Sequence, residues 1–150
     1  MAQSLSKILL HCIFSTKNRT KLISPEFEDD LHGYIASICR EYKSNACKVG
    51  GTNGHVHIAC TFPRTITAAK LMEEVKGSTS KWMKRKSSRC SNFTWQKGYG
   101  VFSLGQSQVE TLIKYIDNQK NRHLKISFKE AFLELLKKYE VEYDERYLWD

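Results

Sequence analysis

The chain has 150 residues, 24 Lys and Arg against 16 Asp and Glu, a net charge of +8 and a pI near 9.3. Hydrophobic residues at 41% and charged residues at 27% exclude a disordered chain, and no apolar run approaches the ~20 residues of a membrane span. The length suits one domain over residues 1–150, and the positive excess favours a polyanionic partner, nucleic acid first.

Five cysteines, Cys12, Cys39, Cys47, Cys60 and Cys90, are odd in number, widely spaced and without a Cys-x-x-Cys pair. They fit neither a disulfide framework nor a zinc ribbon, so a reducing cytoplasm is the expected setting. The N-terminus lacks a signal-peptide layout, because Ser4–Lys7 leads straight into a strand-like run.

Leu5–Phe14 is apolar on both faces and reads as a central strand. Lys17, Arg19 and Lys21 follow in a loop. Ser24-Pro25 predicts a helix start, with Ser24 as N-cap and Pro25 at the first helical position. Phe27, Leu31, Tyr34, Ile35, Ile38 and Tyr42 give that helix one apolar stripe. Ala46–Val49 is a short strand, and Gly50–Gly54 is a glycine-rich turn into a second one. No Gly-Lys-Ser/Thr follows, so this is not a phosphate loop.

The second strand opens Gly54-His55-Val56-His57-Ile58 and runs to Phe62-Pro63. Side chains alternate along a strand, so His55 and His57 share a face and Val56 points into the core. Two imidazoles about 6–7 Å apart can grip one metal ion or one phosphate. The same spacing also describes two polar residues on a solvated sheet face.

Thr65 or Thr67 caps the next helix, whose stripe is Leu71, Met72, Val75, Thr79 and Trp82. Its second half is basic, with Lys76, Lys81, Lys84, Arg85 and Lys86 interleaved with Ser78, Thr79 and Ser80. Such a face suits either phosphates or plain solvent. Ser87–Asn92 is a loop, Phe93–Gly100 is dense in aromatics and glycine, and Val101–Leu104 is a fourth strand.

Ser107-Gln108-Val109-Glu110 has the form of a capping box, which starts a helix near Gln108. Val109, Leu112, Ile113 and Ile116 form its buried stripe. At 100° per residue, Tyr115 and Gln119 lie roughly 110° and 70° from the stripe centre, on one flank. A phenol and an amide therefore share one edge of the helix. Asn121–Lys125 is expected to break it. Ser127–Glu130 is a second capping box, for a last helix to about Tyr139. The tail Val141–Asp150 has no clear period.

The order strand–helix–strand–strand–helix–strand predicts an α+β fold. It is a ferredoxin-like βαββαβ unit with a four-stranded antiparallel sheet, plus two C-terminal helices.

Six motifs in register now carry a resemblance. They are Phe14–Arg19, Gly54–Ile58, Lys76–Trp82, Trp95–Ser103, Tyr115–Gln119 and Glu142–Trp149. The chain resembles the small single-tyrosine transposases of bacterial insertion sequences (the insertion sequence 200/605-like family) in the HUH endonuclease superfamily, over nearly its whole length.

That resemblance implies a metal-dependent endonuclease and strand transferase acting on single-stranded DNA hairpins. It implies Tyr115 as nucleophile, forming a 5′-phosphotyrosine link, and His55, His57 and Gln119 as ligands of a divalent ion, Mg2+ or Mn2+. A phenol is a weak nucleophile at neutral pH, so Tyr115 has to lie close to the ion. DNA contacts are expected from Lys17, Arg19, Lys76, Lys81, Lys84, Arg85 and Lys97. The family works as homodimers, and Tyr115 could complete either its own site or its partner's.

Two departures stand out. Asn53-Gly54 precedes the first histidine where many relatives carry an acid, and Arg122-His123 stands where many carry paired histidines. His11, His32 and His123 are not assigned to the metal and are expected to be structural or solvated. Competing readings are a domesticated palindrome-processing relative, a replication-initiator nickase, and a non-catalytic ferredoxin-like nucleic-acid-binding module.

Overall fold

A computed structural model describes residues 2–149. The strands are β1 (Ile8–Ser15), β2 (Ala46–Gly51), β3 (His55–Phe62) and β4 (Gly100–Leu104). They form one antiparallel sheet in the order β2-β3-β1-β4. This is the α+β, ferredoxin-like arrangement that the order of elements predicts, and it makes β1 and β3 the central pair.

Two helices cover one face: α1 (Glu28–Glu41) and α2 (Ala68–Lys84). Alternation sends Cys12, Phe14, Val56 and Ile58 to that side, where they pack with Leu31, Ile35, Leu71 and Val75. The other face is not left open to solvent. It carries α3 (Val109–Asp117), α4 (Gln119–His123), α5 (Phe128–Lys138) and a short α6 (Glu145–Leu148). A second core of Ile13, Phe102, Phe128, Phe132 and Leu136 fills the space beneath α5. The sheet is thus buried on both sides, and the histidines of β3 lie in the second layer.

Several boundaries differ from expectation. β1 starts at Ile8, and Leu5 is exposed. The helix expected from Ser24 begins at Glu28, because the Ser24 hydroxyl accepts from Glu26 N at 3.3 Å and holds a turn instead. Ser107 caps nothing: the Gln108 side-chain oxygen accepts from Gly105 N at 2.8 Å, and a single 3-10 turn, Gln106–Gln108, precedes α3. The break expected at Asn121 falls instead at Asn118, which interrupts the helix. From there α4 continues to His123, and the tail has a helical turn of its own. Thr67 and Ser127 do cap α2 and α5, accepting from Lys70 N at 3.0 Å and Glu130 N at 3.2 Å.

Two glycines in β2 leave no room for a side chain, Gly50 against α3 and Gly51 against β3. A Cβ on Gly50 would lie 2.6 Å from Ile116 Cγ2. Gly51 has φ +153°, and a Cβ there would lie 2.2 Å from the carbonyl oxygen of His55. The bare backbone lets α3 lie close to β2, where Lys48 of β2 also pairs with Asp117.

Gly77 offers the contrast: it is mid-helix in α2, and a Cβ added there would meet nothing within 4 Å. Gly77→Ala is expected to raise unfolding free energy by about 0.5–1 kcal/mol, and Gly51→Ala to lower it by about 2 kcal/mol or more, both read by urea unfolding.

Candidate active site

β1 and β3 pair so that Ile13 faces His57 and Ser15 faces His55. His11 is two residues before Ile13 and points to the same face as His57. Their Nε2 and Nδ1 atoms share a hydrogen bond of 2.8 Å, with the rings stacked at 5.0 Å. His55 and His57 have ring centroids 5.0 Å apart. All three imidazoles are buried, at 4%, 3% and 1% exposure for His11, His55 and His57, so the solvated-face alternative does not hold.

Gln119 opens α4 directly over β3. Its Oε1 accepts from His55 Nε2 at 3.0 Å, and its Nε2 donates to the Tyr115 carbonyl at 3.2 Å. The other side of His55 is held as well, with Nδ1 3.0 Å from Thr52 Oγ1. Each histidine of the pair therefore has one nitrogen anchored from behind, by Thr52 or His11. That is how ligating imidazoles are commonly oriented.

Burial holds all three imidazoles neutral at pH 7. It pushes His55 down to about 4, and His11 to about 4 with help from the Lys138 charge. Burial, then the neighbouring His11 and His55, keep His57 well below the usual range.

The donor set fits a divalent ion. Two neutral imidazoles and an amide oxygen converge on a cavity of about 10 Å³, which Arg122 and His123 also line. That is room for one water or one ion. Among the described residues no group of three or more His, Cys, Asp or Glu is placed to hold an ion, so the amide of Gln119 is needed to complete a three-ligand set.

Tyr115 lies on the inner flank of α3. Its ring is 5.6 Å from the His57 ring and 6.0 Å from the His11 ring, both edge-on. The Arg122 guanidinium sits over it at 5.2 Å. Arg122 is also paired with Glu134 at 2.8 Å, and its buried Nε–H has no partner. The geometry thus gathers a phenol, an ion-sized donor set and an unfilled cationic donor.

The basic residues separate into two groups. Lys17, Arg19, Lys76 and Lys97 surround the Gln96 loop at the end of β1, where Ser15 Oγ donates to Gln96 Oε1 at 2.8 Å. Within that group the Lys76 ammonium is engaged, donating to the carbonyls of Gln96, Lys97 and Gly98 at 2.5, 3.0 and 3.3 Å. Arg19 leans on the Trp149 ring at 5.5 Å. Lys81, Lys84 and Arg85 are exposed on α2, across the sheet from the histidines.

His11, Thr52 and Arg122 carry no role that the sequence alone assigns. The alternation of β1 gave a signal for His11, since it shares a face with Ile13 and Ser15. Nothing local marks Arg122, whose partners come from α3 and α5.

The chain belongs to the IS200-like transposase family, whose profile matches residues 4–119. The fold is similar to a crystal structure of a Deinococcus radiodurans R1 protein described as a transposase. That likeness has a TM-score of 0.62 at 19% identity, over 79% of this chain and 98% of that one. It is also similar to a REP-associated tyrosine transposase bound to a REP hairpin, with a TM-score of 0.60 at 15% identity, over 82% of this chain and 74% of that one. No curated protein matches the sequence.

The buried imidazoles make the ion-free protein acid-sensitive. An unfolded chain takes up these protons near the usual 6.5, whereas folded His11 and His55 wait until about 4. Between those values the unfolded state binds more protons, so stability falls as pH drops below 6.5. Urea unfolding in chelator is expected to show a loss of about 2 kcal/mol per histidine between pH 7 and pH 5. His11→Ala, which leaves His57 Nδ1 without its partner, is expected to cost about 1–3 kcal/mol at pH 7 in the same assay.

Proposed function

We propose that this transposase nicks and rejoins single-stranded DNA at hairpin-flanked ends, through a covalent link to Tyr115. The observation that carries the reading is the placement of the Tyr115 ring against His57, within one chain, beside the cluster of His55, His57 and Gln119. The neighbour bound to a REP hairpin supports a hairpin partner.

Tyr115 Oη attacks phosphorus, the bond from phosphorus to the 3′-oxygen breaks, and the phenol proton ends on the leaving 3′-oxygen. The product is a 5′-phosphotyrosyl strand and a free 3′-hydroxyl. Because the phosphodiester energy stays in the link, a 3′-hydroxyl reverses the step and rejoins strands without a nucleotide cofactor. His55, His57 and Gln119 would hold Mg2+ or Mn2+. When bound, the ion supplies Lewis-acid activation of the phosphate. Two imidazoles favour Mn2+ over the harder Mg2+.

The Arg122 guanidinium, stacked on the Tyr115 ring, holds that ring and sets a positive charge beside the proposed nucleophile. His11 and Thr52 act as positioning residues by fixing the rear nitrogens of the two histidines. Lys17, Arg19 and Lys97 supply phosphate contacts at the β1 end, and Lys81, Lys84 and Arg85 a remoter basic face. Lys76 serves first to shape the Gln96–Gly98 loop. The reaction belongs in the cytoplasm, in keeping with the free cysteines. No helix among the described residues is long and apolar enough to cross a membrane.

A homodimer fits the reading, although each chain carries a full set of site residues next to its own tyrosine.

With manganese and a hairpin substrate, the protein is expected to form a tyrosyl–DNA adduct that chelator abolishes and Tyr115→Phe lacks. His57→Ala should lower adduct formation at least a hundredfold. An adduct formed by Tyr115→Phe would rule out the assigned nucleophile. Mixing Tyr115→Phe with His57→Ala distinguishes the two assemblies: a site built within one chain stays inactive, whereas recovery of adduct would mean that subunits exchange their tyrosines.

A further inference from the structure

The ion-sized space of about 10 Å³ at the histidine pair has no room for a nucleotide. A second cavity, of about 340 Å³, lies between α3 and α5 and has Tyr115 and His11 at its inner end. That volume is in the range of small-ligand sites, roughly 300–1,000 Å³. Tyr115 belongs to its wall and His55 and His57 do not, so the cavity borders the proposed nucleophile and is separate from the space at the histidine pair.

The lining suits a nucleobase. Leu104, Leu112 and Leu135 make apolar walls. Tyr139 adds an aromatic ring that Phe102 stacks from behind at 4.9 Å, which fixes it as a platform. At the mouth stand Thr111, Lys138 and Gln108. The Gln108 carbonyl is occupied by Gly105 N, so its amide NH2 remains as a donor. Lys138 lines the cavity with its ammonium 5.5 Å over the Tyr139 ring, which puts a positive charge beside that platform. Apolar walls, one ring, a few hydrogen-bonding groups and a positive rim are what single-stranded recognition uses.

Resting on the strand-nicking reading above, we propose that this cavity seats the base of the nucleotide that becomes joined to Tyr115 through its 5′-phosphate. The tether makes this nucleotide the natural occupant: it is one phosphate away from the Tyr115 hydroxyl, and the cavity borders that ring. Seating it turns the base out of any stack and holds the scissile phosphate against Tyr115. It also lets the protein favour particular bases at the first position past the nick.

The test uses the full chain with manganese and hairpin oligonucleotides from the flanks of its own gene. One set keeps every base, and another has an abasic residue at the nucleotide 3′ of the nick. In the wild-type protein, removal of this base is expected to lower kcat/KM for adduct formation roughly tenfold to a hundredfold. Thr111→Trp, placed at the exposed rim to fill the cavity, should slow the intact substrate by a similar factor and the abasic one no further. A 2-aminopurine at the same nucleotide should be quenched on binding wild type and not on binding Thr111→Trp. The wild-type comparison requires no variant, and a circular dichroism melt checks the fold of Thr111→Trp. Equal wild-type rates on intact and abasic substrates would overturn the base seat and leave the nicking reading standing, and additive losses would place the base elsewhere. If wild type makes no adduct with any intact substrate, the nicking reading falls and the base seat with it.

Discussion

The antiparallel pairing of β1 with β3 is the constraint on which the site depends. Its register sets Ile13 opposite His57 and brings His11, two residues earlier, into hydrogen-bond contact across the ladder. Three imidazoles are then buried side by side beneath α3, α4 and α5. An unpaired buried polar group costs about 1–3 kcal/mol, so such a cluster persists only because every ring has a partner. Thr52, His11 and Gln119 provide those partners, and they come from a turn, a neighbouring strand and a helix.

The second requirement is that α3 approach the sheet closely. Gly50 permits this by leaving room for Ile116, which puts Tyr115 one residue away on the flank facing His57. Gln119, four residues on and just past the interruption at Asn118, reaches His55 from the same flank. Arg122 on α4 and Glu134 on α5 tie the layer together at 2.8 Å. Exposed ion pairs contribute little stability, so the value of this one lies in where it leaves the guanidinium, over the Tyr115 ring.

Elements with strong periodicity were readable in the sequence, and their ends were less so. Thr67 and Ser127 cap their helices because each hydroxyl meets a free N–H three residues on. Ser24 looked equivalent but bonds only two residues ahead, which closes a turn. Ser107 lost its place to the longer Gln108 side chain. Lys76 reads as one of a row of phosphate-seeking lysines, yet three loop carbonyls occupy its ammonium. These outcomes turn on which of two nearby donors or acceptors is closer, and spacing along a chain does not encode that.

By itself, the sequence determined the element order, the alternation that puts His55 and His57 on one face, and the flank shared by Tyr115 and Gln119. These follow from local geometry, with a period of two in strands and 3.6 in helices. Only the tertiary structure decided that this face is buried, that His11 stands behind His57, that Arg122 stacks on Tyr115, and that a cavity opens beside the tyrosine. Those facts arise from contacts between strands far apart in the chain, or between separate helices. No local period carries that information.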